Sequence, residues 1–168
     1  MIKLLYNKVI LIICFSVILI VISGSLTPLF YINCTSSQPR GIYCKVLFQS
    51  NFKPGDLVLV QIPRYISQRN SNWLRNDILL LKQIGAVAGD EIKITDQCIF
   101  INDQIVGPIS DKDSLGRPLP KIRGNFTIKP GHFLPISTHI PNSFDGRYFG
   151  QIPLKSIKGK VIPIFLFD

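Results

Sequence analysis

Two hydroxyls, Thr35 and Ser37, stand two residues apart in the stretch Asn33-Cys34-Thr35-Ser36-Ser37-Gln38-Pro39-Arg40-Gly41-Ile42-Tyr43. On an extended backbone that spacing puts them on one side, and Pro39 and Gly41 then stiffen and turn the chain. A serine held this way is a nucleophile only if a neighbouring group takes its proton. The residue suited to that task is Lys82, within the apolar run from Ile78 to Val87. Strand alternation places Ile78, Leu80, Lys82, Ile84 and Ala86 on one face, so the ammonium sits in an otherwise apolar row. Loss of solvation there lowers a lysine pKa, by up to about 3–5 units in fully buried cases. A neutral amine near pH 7 takes a proton from a serine hydroxyl. Taken singly, each piece has a plainer reading: a Ser/Thr-rich linker, and an edge-strand lysine reaching water.

A histidine-based site is the competing chemistry. The chain has two histidines, His132 and His139, and a Ser37–His139–Asp145 triad is open on composition. Neither histidine lies in a recognisable motif. The four cysteines, Cys14, Cys34, Cys44 and Cys98, show neither metal-ligand nor Cys-x-x-Cys spacing. A Cys34–Cys44 disulfide would require an oxidising compartment. No cofactor loop and no metal set are present, so neither is expected. The net charge of +9 comes from basic residues spread singly, without a nucleic-acid motif. It suits anionic lipid head groups instead.

These side chains must be positioned by what surrounds them. From Val9 to Pro39 there is no Asp, Glu, Lys or Arg. About 20 apolar residues span a bilayer core, so a membrane anchor is expected from Val9 to about Phe30, with Phe30 and Tyr31 at the far interface. A cleaved signal peptide is the rival, with small residues at Ser23 to Ser25; apolar residues resume directly after them, favouring the anchor. Residues 1–32 are thus the tail and anchor, and 33–168 one catalytic domain.

Beyond Gly41, short apolar runs alternate with Pro/Gly turns, the pattern of a mostly β domain. Strands are expected at Gly41–Phe48, Leu57–Ile62, Ile78–Val87, Glu91–Thr95, Cys98–Ile101, His132–Ser137, Arg147–Phe149 and Ile157–Phe165. Residues 63–76 read as a loop with one helical turn, and 111–125 as an excursion. The run Val161 to Phe167 is too short to cross a membrane and is expected as a buried final strand.

Three boxes together resemble the type I signal peptidases, most closely their conjugative-transfer branch, the TraF-type peptidases. Asn33, Thr35, Ser37, Pro39, Gly41 and Tyr43 match the pattern Asn-x-Thr-x-Ser-x-Pro-x-Gly-x-Tyr. Lys82-Gln83-Ile84-Gly85-Ala86-Val87-Ala88-Gly89-Asp90 is similar to Lys-x-x-x-Gly-x-x-Gly-Asp. Asn142-Ser143-Phe144-Asp145-Gly146-Arg147-Tyr148-Phe149-Gly150 resembles Asn-Ser-Phe-Asp-Ser-Arg-Tyr-Phe-Gly. The resemblance implies a domain of coiled antiparallel sheets behind a single transmembrane helix. It implies Ser37 as nucleophile and Lys82 as general base, then general acid. The Ser37 N–H and the Thr35 hydroxyl would form the oxyanion hole, while Asp145 and Arg147 hold the late box as an ion pair.

Two departures stand out. Gly146 occupies the place of a serine that the resemblance assigns to hydrogen-bonding the lysine, so another hydroxyl, with Ser143 nearby in sequence, must orient Lys82. Gln38 replaces an apolar residue that usually follows the nucleophile. The expected activity is a serine endopeptidase at the bacterial inner membrane, its catalytic domain on the periplasmic side. It would remove leader peptides from exported precursors such as a conjugative pilin. Its partners would be that precursor and the lipid bilayer, with no nucleic acid. The non-enzyme alternative is a membrane-anchored β scaffold of a secretion or conjugation complex.

Overall fold

A computed structural model describes residues 2–25, 29–49, 51–75, 77–141 and 143–167. The chain divides into two units, Met1–Phe30 and Tyr31–Asp168. The first carries helix α1, Ile2–Ser25, 24 residues long. Apolar side chains along it from Val9 to Leu19 are exposed. The expected spanning helix to Phe30 is not found as such: the helix ends at Ser25, and Phe30 and Tyr31 belong to strand β1, Phe30–Asn33. Among the described residues, no helix is long and apolar enough to cross a membrane.

The second unit is mostly β, as the turn-punctuated pattern requires. Ten further strands follow: β2 (Gly41–Lys45), β3 (Leu57–Gln61), β4 (Leu79–Val87), β5 (Glu91–Ile94), β6 (Cys98–Ile101), β7 (Gln104–Pro108), β8 (Gly124–Thr127), β9 (His132–Ile136), β10 (Ile152–Pro153) and β11 (Ile157–Leu166). They form a seven-stranded sheet in the order β1-β2-β11-β3-β4-β9-β10 and a four-stranded sheet in the order β7-β6-β5-β8. Every pairing with a described register is antiparallel. β6 and β7 meet at a two-residue turn, Asn102-Asp103, with φ of 48° and 64°, the left-handed pair that tight hairpins use.

Alternation along β3 and β4 separates the core into faces. Val58, Val60 and Ile84 pack with Ile62, Ile66, Leu74, Phe133 and Ile152 on one side of the large sheet. Leu59 and Leu81 pack with Tyr43 and Val161 on the other. Further along the bent strands, Ala86, Leu134 and Ile136 meet Ile92, Ile94, Ile99 and Ile128, joining the two sheets.

Three expectations need correction. Arg147–Phe149 is not a strand: Gly146–Phe149 forms the short helix α3, because the Asp145 side chain caps it by accepting from the Arg147 N–H. β11 is the expected strand but is not buried. Ile162, Ile164, Phe165 and Leu166 are about half exposed, whereas Ile157 and Val161 pack on the core. β7 and β8 border the excursion and were not anticipated: β7 has only two apolar residues, Ile105 and Val106, before Gly107 and Pro108, and β8 is largely polar or glycine. The single helical turn expected in 63–76 is α2, Arg64–Arg69. All four thiols are free, so Cys34 and Cys44 are not bridged.

Candidate active site

The nucleophile box lies in the turn between β1 and β2, and one side chain organises it. Asn33, at the end of β1, donates from Nδ2 to the carbonyls of Thr35, Gln38 and Pro39, each at 3.0 Å. Its Oδ1 accepts from the Thr35 N–H at 3.2 Å and from the Thr35 hydroxyl at 2.7 Å. The buried Tyr43 hydroxyl, from β2, donates to the Pro39 carbonyl at 2.6 Å. Gly41 starts β2 opposite Leu166, and a Cβ there would meet the β11 backbone; the motif's glycine is therefore a close-approach residue.

The amide orientation of Asn33 follows from its three carbonyl partners, and it settles the proton of Thr35. A hydroxyl has one proton, and that of Thr35 is given to Asn33 Oδ1. In the 3.4 Å contact between Thr35 Oγ1 and Ser37 Oγ, Ser37 is therefore the donor. To serve an oxyanion, the Thr35 hydroxyl must rotate off Asn33, which keeps the Thr35 N–H as a partner. Among the described residues, nothing accepts the Ser37 N–H, leaving that donor free.

Lys82 is 4% exposed, in β4 opposite Val58 of β3. Burial pushes its amine down to about 8; attraction to Asp145 opposes that shift, and a smaller repulsion from Arg147 adds to it. Its Nζ donates to Ser143 Oγ at 2.8 Å. Ser37, Thr35 and Lys82 line one cleft of about 280 Å³, together with Tyr31, Leu59, Leu79 and Leu81. Ser37 and Lys82 thus line the same cleft, and no hydrogen bond joins Ser37 Oγ to Lys82 Nζ.

The Ser143 contact supplies the hydroxyl that the glycine at position 146 cannot. A Cβ at Gly146 would lie 2.6 Å from the Pro135 carbonyl and 2.7 Å from Leu134 Cδ1, so that position faces β9 and has no room for a side chain. The hydroxyl that orients Lys82 is Ser143, buried in the loop before α3. Asn142 lies outside the described residues.

Asp145 and Arg147 form a bidentate pair at 2.8 and 2.9 Å, both essentially without solvent exposure. The pair is well satisfied. Asp145 also accepts from the Ser137 N–H at 2.9 Å, while Arg147 donates to the carbonyls of Ser137, Pro108 and Pro141. Burial opposes the guanidinium charge, yet the Asp145 hydrogen bond and attraction raise its pKa overall. With both carboxylate oxygens engaged and His139 exposed on its loop, the Ser37–His139–Asp145 triad is not assembled. Aromatic stacking braces this box from outside: Phe144 stacks on Trp73 at 5.4 Å and on Tyr148 at 5.3 Å between centroids. Trp73 in turn donates to Asp113 at 3.0 Å.

Sequence reasoning missed Ser137, which carries no motif. Its only signal was its place directly after an apolar strand. Among the described residues there is no cluster of His, Cys, Asp and Glu able to hold a metal.

A turn-held serine and a buried lysine in one cleft of a mostly β domain define a peptidase-like site. The chain belongs to the family described as signal peptidase, peptidase S26, whose model matches residues 4–166. It is similar to the conjugal transfer protein TraF of Agrobacterium fabrum, 29% identical over 150 residues, covering 83% of this chain and 84% of that protein. A plasmid transfer protein TraF from Escherichia coli is 26% identical over 145 residues, covering 79% and 81%. A signal peptidase I structure from Enterococcus faecalis aligns with a TM-score of 0.42 at 17% identity, covering 67% of this chain and 98% of that one.

Proposed function

We propose that this chain is a membrane-anchored serine endopeptidase with a Ser37/Lys82 dyad. It removes leader peptides from exported precursors, a conjugative pilin or another transfer-apparatus subunit in view of its TraF-named relatives. The observation that carries the reading is Lys82, buried, lowered to about 8, bonded to Ser143 and lining the same cleft as Ser37. Ser37 Oγ attacks the scissile carbonyl while Lys82 Nζ takes its proton. The tetrahedral oxyanion is met by the free Ser37 N–H and by the Thr35 hydroxyl once rotated off Asn33. Collapse expels the amine, protonated by Lys82, and leaves an acyl-enzyme on Ser37 that water, or a pilin amine in cyclisation, resolves. Asp145 and Arg147 hold the late box rather than enter the chemistry.

The charge-free stretch from Val9 to Pro39 supports an anchor in the bacterial inner membrane, with the catalytic domain on the periplasmic side. The lipid bilayer and the precursor are then its partners.

One observation favours a second reading, a scaffold of a conjugation complex: Ser37 and Lys82 share no direct hydrogen bond here. The test is cleavage of a pilin precursor in membranes by wild type, Ser37→Ala and Lys82→Ala, read as a mobility shift. Cleavage by wild type with both variants dead supports the dyad. An authenticated precursor left intact by folded wild type moves the scaffold ahead.

A further inference from the structure

The chemistry proposed above leaves one buried hydroxyl unused. Ser137 is 2% exposed, immediately after β9, and every polar atom it has is engaged. Its N–H donates to Asp145 Oδ2 at 2.9 Å and its carbonyl accepts from Arg147 Nη2 at 3.1 Å. Its hydroxyl donates to the carbonyl of Ser37. A lone pair of the same oxygen faces Gln38 Nε2 at 3.5 Å. Gln38 is itself 4% exposed, a buried amide at a position where the resemblance implies an apolar residue.

We propose that Ser137 is the positioning residue of the nucleophile, its hydroxyl tying the Ser37 carbonyl to the buried Asp145–Arg147 pair. The inference rests on the peptidase reading and says how Asp145, which bonds neither Ser37 nor Lys82, acts on the reaction. Asn33 grips the carbonyls of Thr35, Gln38 and Pro39 but not that of Ser37. The Ser37 carbonyl is held by Ser137. Fixing that carbonyl fixes the peptide plane after Ser37, and with it the direction in which Cβ and Oγ leave the backbone. Misplacement of a reacting atom by about 1 Å can cost on the order of a hundredfold in rate, so the grip matters for turnover more than for folding. Gln38 supports it from the side by occupying the hydroxyl's lone pair, which points the proton at Ser37.

The discriminating variant is Ser137→Ala, which deletes the hydroxyl and keeps both backbone bonds to the Asp145–Arg147 pair. The assay uses full-length protein in liposomes and an internally quenched peptide containing an Ala-x-Ala segment. Ser137→Ala is expected to lower kcat by about tenfold to a hundredfold with KM within about twofold. The pH midpoint of kcat should stay at the wild-type value, because Lys82 and Ser143 are untouched. Gln38→Leu should give a smaller loss of the same kind. Hydrogen exchange is the second measurement: Ser137→Ala should speed exchange in residues 34–43 and leave 132–150 unchanged.

Wild-type turnover matched by Ser137→Ala overturns the positioning role. Failure of wild type to cleave, with Ser37→Ala identical, overturns the peptidase reading instead. The exchange result then decides the structural tie alone, and unchanged exchange in 34–43 removes it.

Discussion

The two walls of the cleft are built by opposite means. The Ser37 wall is a partly exposed turn whose bonds are nearly all local, between residues two to six apart around Asn33. The Lys82 wall is buried, and its partners come from distant segments: Ser143 is 61 residues away in sequence. A local turn forms with little loop-closure cost and leaves its free groups in contact with arriving substrate. A buried amine has the reverse character. Its depressed pKa is obtained by desolvation, and that desolvation is a cost to stability. The comparison teaches where function and folding conflict: on the lysine wall, and not on the serine wall.

The sharpest way to break this comparison is to substitute Ser37 and Lys82, the two groups of the proposed dyad. Ser37→Ala and Lys82→Met should both abolish cleavage while moving stability differently. The unfolded chain keeps the Lys82 proton to about 10.5 and the native protein releases it at about 8. Between those values the native state binds fewer protons, so stability rises with pH, and the burial cost is present in full below about pH 8. Lys82→Met should therefore stabilise the domain at pH 7 by up to about 3 kcal/mol, and Ser37→Ala should leave Tm nearly unchanged. A drop in Tm for Lys82→Met would erase the contrast.

Next in size is the pair behind the lysine wall. Arg147→Met leaves Asp145 as an uncompensated buried charge, which costs about 3–5 kcal/mol, measured by urea unfolding. A loss below about 1 kcal/mol would mean that solvent reaches the pair. On the serine wall, Thr35→Val should lower kcat by about a hundredfold with KM little changed; an equal loss in KM would place the hydroxyl in ground-state binding. The pH profile sharpens the lysine side. With the neutral amine as the base, as proposed, kcat/KM should rise about tenfold per unit below an apparent pKa near 8 and level off above it. The smallest effect belongs to the exposed pair Arg75–Asp77, where Arg75→Ala should change neither activity nor Tm measurably.

The same contrast explains what could be read from the sequence. Thr35 and Ser37 were legible because local spacing sets their geometry. Lys82 was legible because a charge interrupts an apolar alternation, and burial there needs only the strand. Asp145, Arg147 and Ser143 were legible as a box, although sequence gave no way to decide which hydroxyl meets the lysine. The reason position 146 is a glycine was not legible, because it lies in the approach of the Pro135 carbonyl and Leu134, a tertiary contact. Ser137 was silent since its meaning lies in a contact 100 residues away. Strand β11 was expected to be buried because apolar content was taken for burial, whereas its far half pairs with β2 and turns its apolar side chains outward.

The position of β11 has a temporal meaning. It lies between β2 and β3, pairing with one through Val161–Leu166 and with the other through Ile157–Lys160. The strand pair bearing the serine turn and the strand pair bearing the lysine have no edge in common; β11 alone sews them together in the sheet. It is also translated after every other described strand. A ribosome-bound chain can therefore carry both Ser37 and Lys82 while lacking the seam between their strands. The topology thus contains a clock: the sheet that joins the Ser37 turn to the Lys82 strand stays incomplete until β11 arrives.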